Sequence, residues 1–193
     1  TGTQTVVERP ASNSLTTISD NQKPSDIVQA FAYDDFIQEI NSTAERIAQD
    51  IADGLRPEDI LVIAVDDRNA KSYLNKMQTA LTEKDIKSNN IHELNYGITN
   101  FHVEGLVTLS TVHKAKGNES LMVYILGVDA LFIINPGPKE RNVIFTAMTR
   151  AKGWVRISGM GDMAKLVKAE IDKALSNFPN LVFRYPDRSE IRT

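Results

Sequence analysis

Apolar residues recur at helical spacing over 34–54, where Phe36, Ile37, Ile40, Ala44, Ile47, Ala48 and Ile51 mark one face. Gly54 closes the stretch and Pro57 follows it, the usual order of signals at a helix end. The pattern then changes. Ile60-Leu61-Val62-Ile63-Ala64-Val65 is an unbroken apolar run, as a strand covered on both faces of a parallel sheet requires. Helical spacing returns over about 70–82, and short apolar runs at 107–112 and 121–126 read as two more strands. The spacing predicts a helix over 141–151 that ends near Gly153, a strand over 155–158, a helix over 162–175 and a last short strand over 181–183. Strands alternating with helices predict an α/β layered fold with a mainly parallel sheet, and no internal repeat interrupts it.

The flanks read differently. Residues 1–25 are rich in Ser, Thr and Asn and carry Pro10 and Pro24, too few apolar groups to offset the entropy of ordering; they predict a linker or loose tail. Residues 186–193, starting at Pro186 with mixed charges, predict a solvated tail. Residues 26–185 are left as one domain, and at 41% hydrophobic the chain can bury a substantial core. No apolar run approaches the roughly 18 residues of a membrane span, so no membrane partner is expected. The first residues lack an initiator Met and a signal-peptide pattern, which predicts a cytoplasmic fragment of a longer chain. With no Cys, disulfides, thiolate metal sites and cysteine nucleophiles are excluded, and His92, His102 and His113 have no metal-ligand spacing.

Charge alters the picture once it is split by position. Residues 1–67 hold 4 Lys/Arg against 13 Asp/Glu, while residues 68–193 hold 18 against 12, so an overall charge of −3 conceals a basic second part. That part can face phosphate, or both parts can be ordinary solvated surface.

Two segments carry candidate chemistry. In Ser110-Thr111-Val112-His113-Lys114-Ala115-Lys116-Gly117-Asn118-Glu119, a polar stretch leaves the end of a strand, where open α/β sheets bind ligands. His113, Lys114 and Lys116 are donors for phosphate oxygens, Gly117 permits close backbone approach, and Glu119 can accept from a sugar hydroxyl. A solvated connection with a turn glycine accounts for the same residues. The second segment runs from Glu140 to Lys152, with Val143, Ile144, Ala147, Met148 and Ala151 on its apolar face. Arg150, among small residues near the helix end, can offer its planar fork to a phosphate, or simply favour the helix terminus as a cation. Trp154, Phe145 and Tyr124 sit in or beside apolar runs and read as core rather than as base-stacking residues.

Together and in this order, the segments resemble two motifs of superfamily 1 helicases, in the UvrD/Rep-like C-terminal motor domain. Thr111-Val112-His113-Lys114-Ala115-Lys116-Gly117-Asn118-Glu119 looks like motif V, commonly Thr-x-His-x-Ala-Lys-Gly-Leu-Glu, with Asn118 in place of Leu. Thr146-Ala147-Met148-Thr149-Arg150-Ala151-Lys152 is similar to motif VI and its Thr-Arg-Ala core. Ile63-Ala64-Val65-Asp66-Asp67-Arg68-Asn69-Ala70 is a weaker match to motif IV.

The resemblance implies a RecA-like three-layer domain and a set of roles. Arg150 would be the arginine finger on the γ-phosphate, and Arg68 a second contact there. Gly117 and Glu119 would approach the nucleotide, Glu119 at its ribose. Thr111, His113, Lys114 and Lys116 would meet a single strand, DNA by resemblance, RNA not being excluded by the residues. ATP and Mg²⁺ would be held mainly by a separate N-terminal RecA-like domain of the full-length chain, since no G-x-x-x-x-G-K-[ST] phosphate loop occurs in this sequence. Such a fragment is expected to be inactive alone, the full-length protein being an ATP-dependent helicase. Only 44 residues separate Arg68 from His113, so the large insertion of UvrD and Rep is missing; the spacing also suits the RecD-like branch, and the direction of movement stays open. Leu61-Val62-Ile63-Ala64-Val65-Asp66-Asp67 resembles a strand ending in a magnesium-binding Asp, though without a phosphate loop upstream. The alternatives are a non-catalytic nucleic-acid-binding or scaffolding module and, against the lack of a Gly-rich turn, a Rossmann-like small-molecule domain.

Overall fold

The structure, a computed structural model, describes residues 3–10, 12, 18–92, 100–133 and 137–186. The expected tail from 187 onward, and residues 1–2, 11 and 13–17 of the expected lead-in, lie outside the described residues. Six strands form one sheet: β2 (Val28–Tyr33), β3 (Ile60–Ala64), β4 (Ser88–Asn90), β5 (Val107–Thr111), β6 (Ser120–Leu126) and β7 (Ala151–Met160). Their order is β2-β7-β6-β3-β5-β4, and every pair is parallel. The continuous apolar runs are thereby explained, because β3 and β5 are buried at every position and are covered from both sides.

Helices α3 (Phe36–Ala52) and α4 (Ala70–Thr82) cover one face, packing Ile40, Ala44, Ile47, Leu74 and Met77 against Val62, Leu109 and Tyr124. On the other face α5 (Val112–Ala115), α6 (Pro138–Met148) and α7 (Gly161–Ser176) pack Ala115, Ile144, Ala147 and Val167 against Ile63, Val123, Ile125 and Ile157. Three layers result, as the alternating pattern predicts. Asp35 starts α3 by accepting a hydrogen bond from the Gln38 amide at 2.8 Å, and Pro138 in the first turn of α6 needs no amide partner there.

Several elements depart from the sequence expectation. Strand β2 forms the sheet edge beside β7, although its sequence Val-Gln-Ala-Phe-Ala-Tyr shows weak alternation. The expected loose lead-in contributes β1 (Gln4–Val7) and two one-turn helices, α1 (Ile18–Asn21) and α2 (Pro24–Ile27). β1 pairs antiparallel with β8 (Leu181–Arg184) in a separate two-stranded ribbon. Helix α6 stops at Met148 and β7 starts at Ala151, so the helix expected to reach Ala151 ends three residues earlier and Arg150 lies in the turn between them. Among the described residues no helix is long and apolar enough to cross a membrane.

One buried polar centre ties the layers together. Glu39 of α3 is fully buried and accepts from Ser158 Oγ of β7 at 2.7 Å, from the Gly127 amide after β6 at 3.0 Å and from the Tyr73 hydroxyl of α4 at 3.2 Å. Burial raises its pKa, offset in part by these donors. Asp129 lies near and is raised for the same first reason.

Candidate functional site

The segment from Thr111 to Glu119 crosses from one edge of the sheet to the other. Thr111 ends β5 at the carboxyl edge, while Ser120 begins β6 at the amino edge, and α5 lies between. In a parallel sheet a direct β–β connection has to make that crossing. The motif residues therefore fall into two groups.

At the carboxyl edge, Thr111 is buried, and its hydroxyl caps α5 by accepting from the Lys114 amide at 3.4 Å. His113 extends into solvent and its Nε2 lies 3.2 Å from Asp67. Lys114 turns back on the protein, donating from Nζ to the carbonyls of Ile91 at 2.9 Å and His92 at 3.4 Å. Arg68 is here too, 77% exposed, with Nε 3.7 Å from Asp66. Asp66 itself is a turn acid: its carboxylate accepts from the Arg68 amide at 3.1 Å and from Asn69 Nδ2 at 2.7 Å. Those bonds explain the strand-end carboxylate that resembled a magnesium ligand.

At the amino edge the second group meets. The Ser120 amide donates to the Arg150 carbonyl at 2.9 Å, so Glu119 and Arg150 flank one backbone hydrogen bond between β6 and β7. Glu119 lies 3.8 Å from Lys152 across the same junction. Arg150 is half-buried, and its guanidinium is held from below: Nε donates to the Thr146 carbonyl at 3.2 Å and Nη2 to Thr149 Oγ1 at 3.2 Å. Thr149 in turn donates to the Thr146 carbonyl at 2.9 Å. A guanidinium held on two of its nitrogens loses less freedom when the third engages an oxyanion. Gly117 precedes this group in the left-handed region, with φ of 85°, and open space lies where a Cβ would be. It is a turn glycine that leaves the backbone approachable.

The structure thus brings Gly117, Glu119 and Arg150 to one edge, and Thr111, His113, Lys114 and Arg68 to the other. Lys116 is exposed between them and makes no hydrogen bond or ion pair to a side chain among the described residues. Arg68 is not brought to Arg150. The rungs from Ser120 to Leu126, level with the end of β3, span roughly 20 Å at about 3.3 Å per residue, and Arg68 lies beyond them. A shared phosphate for the two arginines does not follow from this arrangement. Of the aromatic residues, Tyr124 is core as expected; Phe145 is not, being 64% exposed on the outer face of α6. Lys152 was the residue that sequence reasoning gave no role, and its only signal was its place directly after Thr-Arg-Ala.

Residues 106–158 match the family of UvrD-like helicase C-terminal domains. This segment is UvrD-like. The UvrD-like match starts one residue before β5 and ends within β7, so it contains both groups except Arg68. No curated protein matches the sequence. In structure the chain is similar to the C-terminal domain of a possible DNA helicase from Lactobacillus plantarum WCFS1, with a TM-score of 0.59 and 16% identity over 84% of this chain and 94% of that one. At that identity the likeness concerns the fold. The six-stranded parallel sheet between two helical layers is the RecA-like arrangement that the UvrD/Rep-like resemblance implied, and the sequence of this chain has no phosphate loop in it.

Proposed function

We propose that this chain is the C-terminal motor domain of an ATP-dependent superfamily 1 DNA helicase. In this reading it completes an ATP site built mainly by an N-terminal RecA-like domain of the full-length protein. The observation that carries the proposal is the backbone hydrogen bond from the Ser120 amide to the Arg150 carbonyl, which brings the segment ending in Glu119 to Arg150 at the amino edge of β6 and β7, with the Arg150 guanidinium steadied by Thr146 and Thr149. A cation and a hydrogen-bond acceptor carried on adjoining backbone suit a nucleoside polyphosphate: Arg150 for the γ-phosphate, Glu119 for the ribose, Gly117 for close backbone approach. Lys152 adds charge beside them. Mg²⁺, held with the phosphates by the other domain, would neutralise phosphate charge, while Arg150 stabilises what develops on the transferred group.

His113 and Lys116, exposed along the crossing from β5 to β6, are the residues this reading gives to a single strand, with Lys114 and Thr111 shaping the backbone that carries them. The same short connection then runs from strand to nucleotide. A shift at one end would reach the other through α5, which suits a motor in which ATP closes a cleft and hydrolysis reopens it.

The test is ATP hydrolysis by the full-length protein with and without single-stranded DNA, for wild type and Arg150→Ala. DNA-stimulated hydrolysis that falls by about 10² or more in Arg150→Ala, with ATP still bound, is the expected result. An indifferent Arg150→Ala variant removes the finger assignment. Absence of stimulated hydrolysis in the wild type removes the motor reading and leaves a nucleic-acid-binding or scaffolding module.

A further inference from the structure

A hollow opens at the amino edge of the sheet, on the face that α3 covers. It measures about 510 Å³, within the roughly 300–1,000 Å³ of small-molecule pockets, and is lined by Asp50, Asp53, Leu55, Met122, Trp154 and Arg156, with Gln22 closing one side. Met122 and Trp154 pair across β6 and β7, two residues inward along β6 and three along β7 from the Ser120–Ala151 rung, with a register shift between the two pairs.

The lining selects among ligand classes. Trp154 offers an indole whose orientation is set by its Nε1 donating to Gln22 Oε1 at 2.7 Å. Arg156 is half-buried; its Nη1 donates to the carbonyls of Asp26, Ile27 and Val155, while Nε and Nη2 meet no acceptor among the described residues. Asp53 accepts from Gln49 on one oxygen and Asp50 from the Tyr124 hydroxyl on one oxygen, and each second oxygen is unengaged among the described residues. A simple anion meets two carboxylates here, and a simple cation meets Arg156. A purely apolar ligand would cover these groups without satisfying them. What suits all of them is a flat, neutral heterocycle with acceptors on one edge and N–H groups on another, stacked on the indole.

We infer that this hollow is a purine-base site, in which Trp154 stacks on the ring, Arg156 donates to its ring acceptors and Asp53 accepts from its amino or imino hydrogens. Stacking of a base on an aromatic side chain contributes on the order of 1–3 kcal/mol, and a charged hydrogen-bonding partner sharpens it. The base can belong to a free nucleotide or to a single strand, and the site stands independently of the motor reading.

Trp154 is the only tryptophan of the chain, so its emission and its indole N–H resonance report on this hollow alone. The probes are guanosine and adenosine monophosphates, cytidine monophosphate as the pyrimidine control, and a short single-stranded oligo(dA). Saturable perturbation of both signals by purine mononucleotides, weakened about tenfold in Asp53→Ala, is the expected result. Asp53 is exposed, so that variant keeps the fold. Perturbation by the oligonucleotide alone assigns the base to a strand. No perturbation by any probe, equal perturbation by the cytidine nucleotide, or an unchanged response in Asp53→Ala overturns the inference.

Discussion

Replacing Glu39 by Ala removes the acceptor for three buried donors at once. Ser158 retains a longer alternative, the Ile125 carbonyl at 3.5 Å, but the Gly127 amide and the Tyr73 hydroxyl are left without a partner. Each orphaned buried donor costs about 1–3 kcal/mol, and the lost side-chain volume adds to it, so Glu39→Ala is expected to cost about 3–5 kcal/mol. That is a large part of the roughly 5–15 kcal/mol that holds a domain together. Glu39→Gln should cost only about 1 kcal/mol, because its amide oxygen can serve Ser158 and Gly127 while its NH₂ donates to Tyr73. Urea unfolding followed by circular dichroism reads both. The same centre gives a pH signature. Burial raises the Glu39 pKa above its ordinary 4.5, so its native form binds a proton more tightly than the unfolded chain does. Its contribution is therefore full below about pH 4.5 and is lost as pH rises through the raised native value; Glu39→Gln should flatten that part of the curve. A loss below about 1 kcal/mol in Glu39→Ala, or a Gln variant as costly as the Ala variant, would refute the reasoning.

Two glycines should separate strain from clash. Gly159→Ala places a Cβ 2.7 Å from Asp129 Oδ1 and 3.0 Å from its amide, so thermal denaturation should show a loss well above the about 1 kcal/mol expected for Gly117→Ala, where only the positive φ is at stake. The two lysines of the crossing should differ as well. Lys116→Ala is expected to leave stability unchanged while reducing the salt slope of oligonucleotide binding by about one, read by titration at several ionic strengths. Lys114→Ala, which frees the Ile91 and His92 carbonyls, should instead lower the melting temperature, and an unaltered melting curve would return Lys114 to the solvent. Arg150→Ala in the full-length protein, and the response of Trp154 to purine nucleotides, complete the set.

The layered α/β class, the buried strands at 60–65 and 107–112 and the two helices that cover the first face were legible in the sequence, because periodicity records burial directly. So were Gly117, Glu119 and Arg150 as members of recognisable segments. Strand β2 was not, since it is half-buried at nearly every position and so shows neither a continuous apolar run nor a clean alternation, and β1 escaped because its partner β8 is about 175 residues away. The end of α6 was misplaced for a similar reason: Ala151 fits the helix's apolar face by spacing, yet pairing with Ser120 draws it into β7. Local pattern alone therefore determined where the central strands and the helices over them lie, but not every residue inside, since Phe145 is exposed and Glu39 is buried. Only the tertiary structure decided which edge of the sheet each candidate side chain reaches, and that separated Arg68 from Arg150, caught Lys114 on backbone carbonyls and gathered Trp154 and Arg156 of β7 with Asp50 and Asp53 around one hollow. Those outcomes depend on parallel register between strands far apart in the chain, which no local spacing encodes.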